Sequence, residues 1–288
     1  MSPLALLKLL SIHDLHLAPI DELGERARYQ HHPTVSAMKW YLEDELVRWL
    51  EERDSERQWS LPDDPAAAMR SLGALGLVPP VYDWLAEEAS MEELVAFLSI
   101  EGGPDGGFDD LVALCQVGLS GEPKLELARN YWDEMGAGSA TQVHTELHAR
   151  LTDALGLERV PREAQPPEAL LRSALGSLLA TNRYLQPELV GALGLIELQA
   201  GPRCRRVVAG LQRLGAPAGA FAFYEEHAQA DPRHGKAWVD HVVTPLGGDP
   251  EWGRRIVRGA RWRALVNERF FAAMAERLGP ERLVSVDG

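Results

Sequence analysis

Apolar residues recur every three to four positions along most of the chain, and strand-like alternation is almost absent, so the pattern predicts helices nearly throughout. Ala37 to Glu52 forms one amphipathic stretch with Met38, Tyr41, Leu42, Leu46, Trp49 and Leu50 on its apolar side. Ser90-Met91-Glu92-Glu93 has the form of a capping box and starts a helix to about Glu101. Gly102-Gly103-Pro104-Asp105-Gly106-Gly107 reads as a break, or as a distortion if the flanking helices are collinear. Another helix covers Phe108 to about Val117. The next starts at Ser120-Gly121-Glu122-Pro123 and runs to Glu134, carrying Leu125, Leu127, Ala128, Tyr131 and Trp132. Gly136-Ala137-Gly138 punctuates, and Ser139-Ala140-Thr141-Gln142 is a second capping-box form. Helices are expected at about Ala140–Leu155, Pro167–Arg183, Pro187–Gln199, Pro202–Leu214, from near Gly219, and at Pro250–Leu278. The Trp and Leu stripes read as core. No fixed-period repeat, low-complexity tract or linker is visible. The expectation is one all-α bundle, a single domain over 1–288, with helices of 1–89 capping a core at 90–280.

Composition narrows the function. The 288 residues are 45% hydrophobic, enough for a sizeable core, and the net charge of −14 disfavours DNA or RNA as a partner. Cys115 lies in an apolar run and reads as a small buried hydrophobe; Cys204 is flanked by arginines without any thiol motif. Thiolate metal sites and a disulfide framework are therefore not expected. The N-terminus lacks a signal-peptide pattern and no apolar run approaches 18 residues, which predicts a cytoplasmic protein without a membrane partner.

The chemistry concentrates in Phe223-Tyr224-Glu225-Glu226-His227-Ala228-Gln229-Ala230-Asp231-Pro232-Arg233-His234. At about 100° per residue, a helix places His227, Asp231 and His234 within an arc of about 60°. Two imidazoles and a carboxylate on one stripe suit iron, manganese or zinc. Asp231-Pro232 has a competing reading, because Asp as N-cap with Pro at the first helical position is a common helix start. Other candidate ligands are Glu134, His144 ten residues later, and Glu101 at the end of an apolar helix.

The pair Glu134-x9-His144 followed by His227-x3-Asp231-x2-His234 resembles the heme-oxygenase-like diiron oxidases and oxygenases, often labelled iron-containing redox enzymes. Residues 108–111, 124–130 and 133–136 carry the same resemblance, as does Gly191-Ala192-Leu193-Gly194-Leu195-Ile196-Glu197; it spans roughly 90 to 250. It implies a heme-oxygenase-like helical bundle that binds two Fe(II) ions, uses O₂ as co-substrate, and contains no heme or flavin. Glu101 matches the first-helix carboxylate, with Asp109 as alternative. Glu134 matches the bridging carboxylate, His144 its nearby histidine, and His227, Asp231 and His234 the third ligand helix. Phe108 stands where some members carry a further histidine. Three carboxylates against two ferrous ions predict that one iron is held weakly, since such bundles typically use four. Pro232 inside the ligand helix predicts local unwinding before metal binds.

The implied activity is oxidation of a small organic substrate by N-oxygenation, oxidative C–C cleavage or decarboxylation, or desaturation, with an amino-acid-like compound preferred. A homodimer and an external electron donor stay open. The alternatives are a zinc or mononuclear-metal hydrolase, although residue 145 is Thr and no HExxH motif exists, and a non-catalytic binding module. His148 is expected on the surface or behind the ligands, and His13, His16, His31, His32 and His241 as solvated or structural. Glu197 is expected to support the ligands from behind, face substrate or face solvent, and the run Arg254, Arg255, Arg258, Arg261, Arg263 reads as a solvated helix face, with an anion or partner site as the alternative.

Overall fold

The computed structural model describes residues 1–101 and 107–280, the side chain of Asp231 excepted. The Gly102–Gly106 part of the expected break lies outside the described residues. Helices follow one another as α1 (Pro3–Leu17), α2 (Ile20–Leu23), α3 (Pro33–Glu56), α4 (Pro65–Ala74), α5 (Pro80–Glu87), α6 (Met91–Glu101) and α7 (Phe108–Cys115). The second half comprises α8 (Gly121–Glu134), α9 (His144–Leu155), α10 (Pro167–Thr181), α11 (Gln186–Arg213), α12 (Ala222–Trp238), α13 (Thr244–Leu246) and α14 (Pro250–Leu278). Among the described residues there is no strand, and no helix is long and apolar enough to cross a membrane.

Local chemistry sets many of the boundaries. Proline occupies the first turn of α1, α3, α4, α5, α10, α11 and α14, where its missing N–H is harmless. Ser2, Asp64 and Asp249 cap α1, α4 and α14 through their side-chain oxygens. The box at Ser90 forms reciprocally: Glu93 accepts from Ser90 N at 2.7 Å, and Ser90 Oγ accepts from Glu93 N at 3.3 Å. The second box does not form. Ala140–Gln142 make a separate 3₁₀ turn, and α9 starts only at His144.

The centre of the bundle is α11, whose 28 residues give a rod about 42 Å long. It packs against α12, α14, α5, α4 and α10, while α1 covers α10 and α3 touches α1 and α14. One apolar cluster gathers Leu46, Leu50, Met69, Trp238 and Trp262; a second gathers Leu85, Phe97, Leu211, Phe270 and Met274. Each fully buried side chain of this kind stabilises the fold by about 1.5–3 kcal/mol.

Three expectations are corrected. The helices expected at Pro187–Gln199 and Pro202–Leu214 are one, with Pro202 inside α11. Side chains pin the junction to the α4–α5 connection: Gln199 Nε2 donates to Leu75 O at 2.9 Å, and Arg203 donates to Leu77 O and Gly76 O at 3.0 Å. The arginine run is no simple solvated face. Arg255 and Arg258 both bind Glu188, which is 0% exposed, Arg261 binds Asp54, and Arg263 is buried. Finally, Met38, Tyr41, Leu125 and Trp132 are exposed, not core.

Candidate metal centre

The buried stripe of α8 is Pro123, Leu127, Asn130 and Glu134, so its inner face turns from apolar to polar towards its C-terminus. Beyond Glu134 the chain doubles back through left-handed residues, Gly136 at φ 61°, Ala137 at 50° and Gly138 at 88°. A Cβ on Gly136 would lie 2.5 Å from the Gln142 carbonyl carbon, so only glycine permits this return. It delivers His144, the first residue of α9, with Nδ1 at 2.6 Å from Glu134 Oε2. Burial is the largest influence on the His144 pKa and lowers it, but the adjacent Glu134 carboxylate outweighs burial and leaves it above the ordinary value.

From α12, His227 approaches the same point, its ring 4.5 Å from that of His144. Its Nδ1 lies 2.7 Å from the Phe223 carbonyl, a contact that requires an N–H donor there and leaves Nε2 as the unprotonated nitrogen. Burial first, and His144 second, push its pKa down to about 4, so the ring is neutral at pH 7. Two turns on, His234 places Nε2 at 3.0 Å from Asp133 Oδ2 and Nδ1 at 3.6 Å from Glu197 Oε2. Glu197, only 3% exposed on α11, accepts from Asn130 Nδ2 at 2.7 Å. The close approach of α12 to α11 depends on Gly235, where a Cβ would lie 2.9 Å from Glu197 O.

Among the described residues two three-residue donor sets result, Glu134–His144–His227 and Glu134–Glu197–His234. Within each set the donor atoms lie within 4.8 Å of one another, and Glu134 is common to both. The sets border a cavity of about 380 Å³, walled by aliphatic side chains of α10 and α11.

Of the residues expected from sequence, Glu134, His144, His227 and His234 are brought together. The Asp231 side chain lies outside the described residues. Its backbone belongs to α12, which runs unbroken from Ala222 to Trp238, so Asp231 is not the N-cap of a new helix. Glu101 lines the same cavity but belongs to neither donor set. As the last residue of α6 it is drawn instead towards Tyr82 OH, at 3.3 Å, and Arg172 Nη2, at 3.4 Å. Asp109 also borders the cavity outside both sets, and burial raises its pKa first, with Asp110 and Glu134 adding to the effect.

Glu197 is the candidate that the sequence left open between a place behind the ligands, one facing substrate and one facing solvent. Its signal was a lone carboxylate inside an apolar stretch, without polar neighbours that would mark a solvent-facing stripe. His148 lines the cavity one turn beyond His144, with burial holding its pKa below the ordinary value. His13 is buried between Ser177 and Glu43, His31 and His32 are exposed, and His241 pairs with Glu122 on the surface. Both cysteines are buried and neither forms a disulfide, and burial pushes the Cys115 thiol up to about 12.

A family model described as iron-containing redox enzyme matches residues 97–268. The chain belongs to that family. Among solved structures, it is similar to a CADD-like protein of unknown function from Nostoc punctiforme, with 16% identity and a TM-score of 0.54, covering 83% of this chain and 99% of that one. That likeness and the family match make the fold heme-oxygenase-like. No curated protein matches the chain.

The iron implied by the family suits the residues present. Buried His144 Nδ1 sits 2.6 Å from Glu134 Oε2 yet has no hydrogen-bond partner of adequate geometry, the relation of two groups converging on a common ion. Imidazole nitrogen with carboxylate oxygen is a donor mixture suited to iron. Asp133 and the Phe223 carbonyl fix ring orientation from behind, as second hydrogen-bond partners of metal-ligating histidines do.

Proposed function

We propose that this protein is a non-heme diiron oxidase or oxygenase that uses O₂ to oxidise a small organic substrate. The observation that carries the reading is the membership of one buried carboxylate, Glu134, in two donor sets. His144 and His227 would complete one set, Glu197 and His234 the other. Asp231, one turn beyond His227, joins them by resemblance, so that Glu197 takes the place the sequence had offered to Glu101. Two ferrous ions held there would supply the electrons for O₂ reduction.

The chain's own residues set the conditions. His227 remains neutral and able to coordinate because burial opposes its protonation. Asn130 holds one oxygen of Glu197, which directs the other towards His234. Leu175, Leu179, Leu189, Ala192, Leu193 and Ile196 wall the cavity and limit water around the reacting groups. N-oxygenation, C–C cleavage or decarboxylation, and desaturation all need this combination.

Anaerobic Fe(II) titration followed by exposure to O₂ with candidate substrates tests the reading. Two irons per chain and substrate-dependent O₂ consumption are expected, and both should disappear in Glu134→Ala. Wild-type O₂ consumption by that variant would sink the assignment. Turnover with zinc in place of iron would point to a hydrolase, and absence of specific metal uptake to a non-catalytic module.

A further inference from the structure

A second cavity, of about 720 Å³, lies across α10 from the metal centre. Gly176 and Leu111 border both cavities. Leu175 and Leu179 turn to the first, whereas Ser173 and Ser177, one turn apart, turn to the second. Leu7, Leu10, Leu17 and Leu23 give the second cavity an apolar wall. Three arginines and four carboxylates among its lining residues nearly balance in charge, which suits an uncharged ligand.

His13, only 1% exposed, reaches Ser177 Oγ with Nδ1 at 2.7 Å and Glu43 Oε1 with Nε2 at 2.8 Å. The partners of Glu43 place the protons. Its Oε1 also accepts from Lys39 Nζ and Asn182 Nδ2, each at 2.7 Å, so Glu43 is an ionised acceptor and His13 Nε2 carries the N–H. Burial is the largest influence on His13; it holds the pKa below the ordinary value and keeps the ring neutral at pH 7. Nδ1 is therefore the unprotonated nitrogen, and the Ser177 hydroxyl supplies the proton between them. That hydroxyl also lies 3.0 Å from Ser173 O and 3.4 Å from Ala174 O, but those carbonyls already accept helical N–H groups. The same bonds fasten α1 to α3 and α10. A fastening needs no cavity beside it, yet His13 and Ser177 both line this one.

We infer that Ser177 is a nucleophile with His13 as its base and Glu43 positioning His13, and that the second cavity takes an uncharged carboxylic ester with an apolar acyl chain. Ser177 Oγ bonds to the acyl carbon as its proton passes to His13 Nδ1. His13 returns that proton to the departing alcohol oxygen as the ester C–O bond breaks. Water then adds to the acyl carbon, its proton passing through His13 to Ser177 Oγ, and the carboxylic acid leaves with the hydroxyl restored. Neither iron nor O₂ takes part, so the inference stands apart from the diiron reading.

Treatment of the full chain with an alkyl fluorophosphonate, followed by peptide mass spectrometry, tests it. One adduct on Ser177 is expected, formed with loss of fluoride, absent in Ser177→Ala and at least about 100-fold slower in His13→Gln. Hydrolysis of p-nitrophenyl butyrate should fall by a similar factor in both variants. The charged and titratable groups facing His13 are Asp14 and His16 of α1 and Lys39 and Glu43 of α3, with Arg162 bound to Asp14. Because the Glu43 carboxylate favours the protonated ring, Glu43→Gln should move the acid limb of the labelling rate to lower pH, a shift seen only if His13 ionisation governs Ser177. Absence of an adduct on Ser177 in the wild type overturns the inference even if the variants fold poorly. An adduct that forms equally fast in His13→Gln overturns it too, and an unshifted acid limb overturns the role of Glu43.

Discussion

At the scale of single residues, the groups behind the donor atoms matter as much as the donors. Asp133 binds one nitrogen of His234, so the other is the one turned to Glu197. Asp133→Ala should lower iron affinity about 10–100-fold while the fold is retained, measured by competition with a chelator; unchanged affinity would show that Asp133 is only a surface partner. Asn130→Ala should loosen Glu197 and weaken the Glu134–Glu197–His234 set selectively, visible as a lower second equivalent in the same titration. The candidate donors were unevenly legible in the sequence. His227 and His234 stand out as imidazoles at helical spacing, and Glu134 and His144 through the family resemblance of their spacing. Glu197 could not be placed, because periodicity alone does not say which neighbour covers a given face of α11. Glu101, a carboxylate ending an apolar helix, does line the cavity, where it meets Tyr82 and Arg172 and belongs to neither donor set.

At the scale of elements, α12 shows how a helix tolerates the wrong residue. Pro232 has no N–H to give the Ala228 carbonyl, and Arg205 Nη1 donates to that oxygen at 3.1 Å from α11. Arg205→Ala should cost only about 0.5–1.5 kcal/mol locally. Faster amide exchange around residues 228–234 with little change in Tm is the expected signature; a large drop in Tm would mean that Arg205 does more than replace one rung. Gly235→Val is the harsher test, because its side chain would meet the Glu197 backbone where α12 and α11 touch. Overpacking of this kind costs about 1–3 kcal/mol, and here it should also separate His234 from Glu197 and abolish the second iron equivalent. Helix existence was readable throughout, down to the capping box at Ser90. The continuity of α11 through Pro202 was not, because it depends on Gln199 and Arg203 reaching carbonyls more than a hundred residues away in sequence.

At the scale of the whole molecule, acid is the expected weakness of the metal-free protein. His13, His16 and His227 all have lowered pKa values, with burial the largest cause, and His16 and His227 are held at about 4. An unfolded chain takes up these protons near pH 6.5, before the folded one does. The stability they contribute is thus present above pH 6.5 and is lost as the pH falls towards 4. His144, raised rather than lowered, has the opposite sign and offsets part of the loss. Urea denaturation at pH 7.5 and pH 5 should show the lower midpoint at pH 5, and an equal or higher one would contradict the balance.

The carboxylate shared by the two donor sets has a consequence for how the ions sense each other. If ions occupy both sets as proposed, occupancy of one would fix the rotamer of Glu134 and draw off part of its charge, so the other set would meet an altered ligand. The two bindings would then be linked equilibria, and linkage is reciprocal: whatever factor the first ion imposes on the affinity of the second, the second imposes on the first.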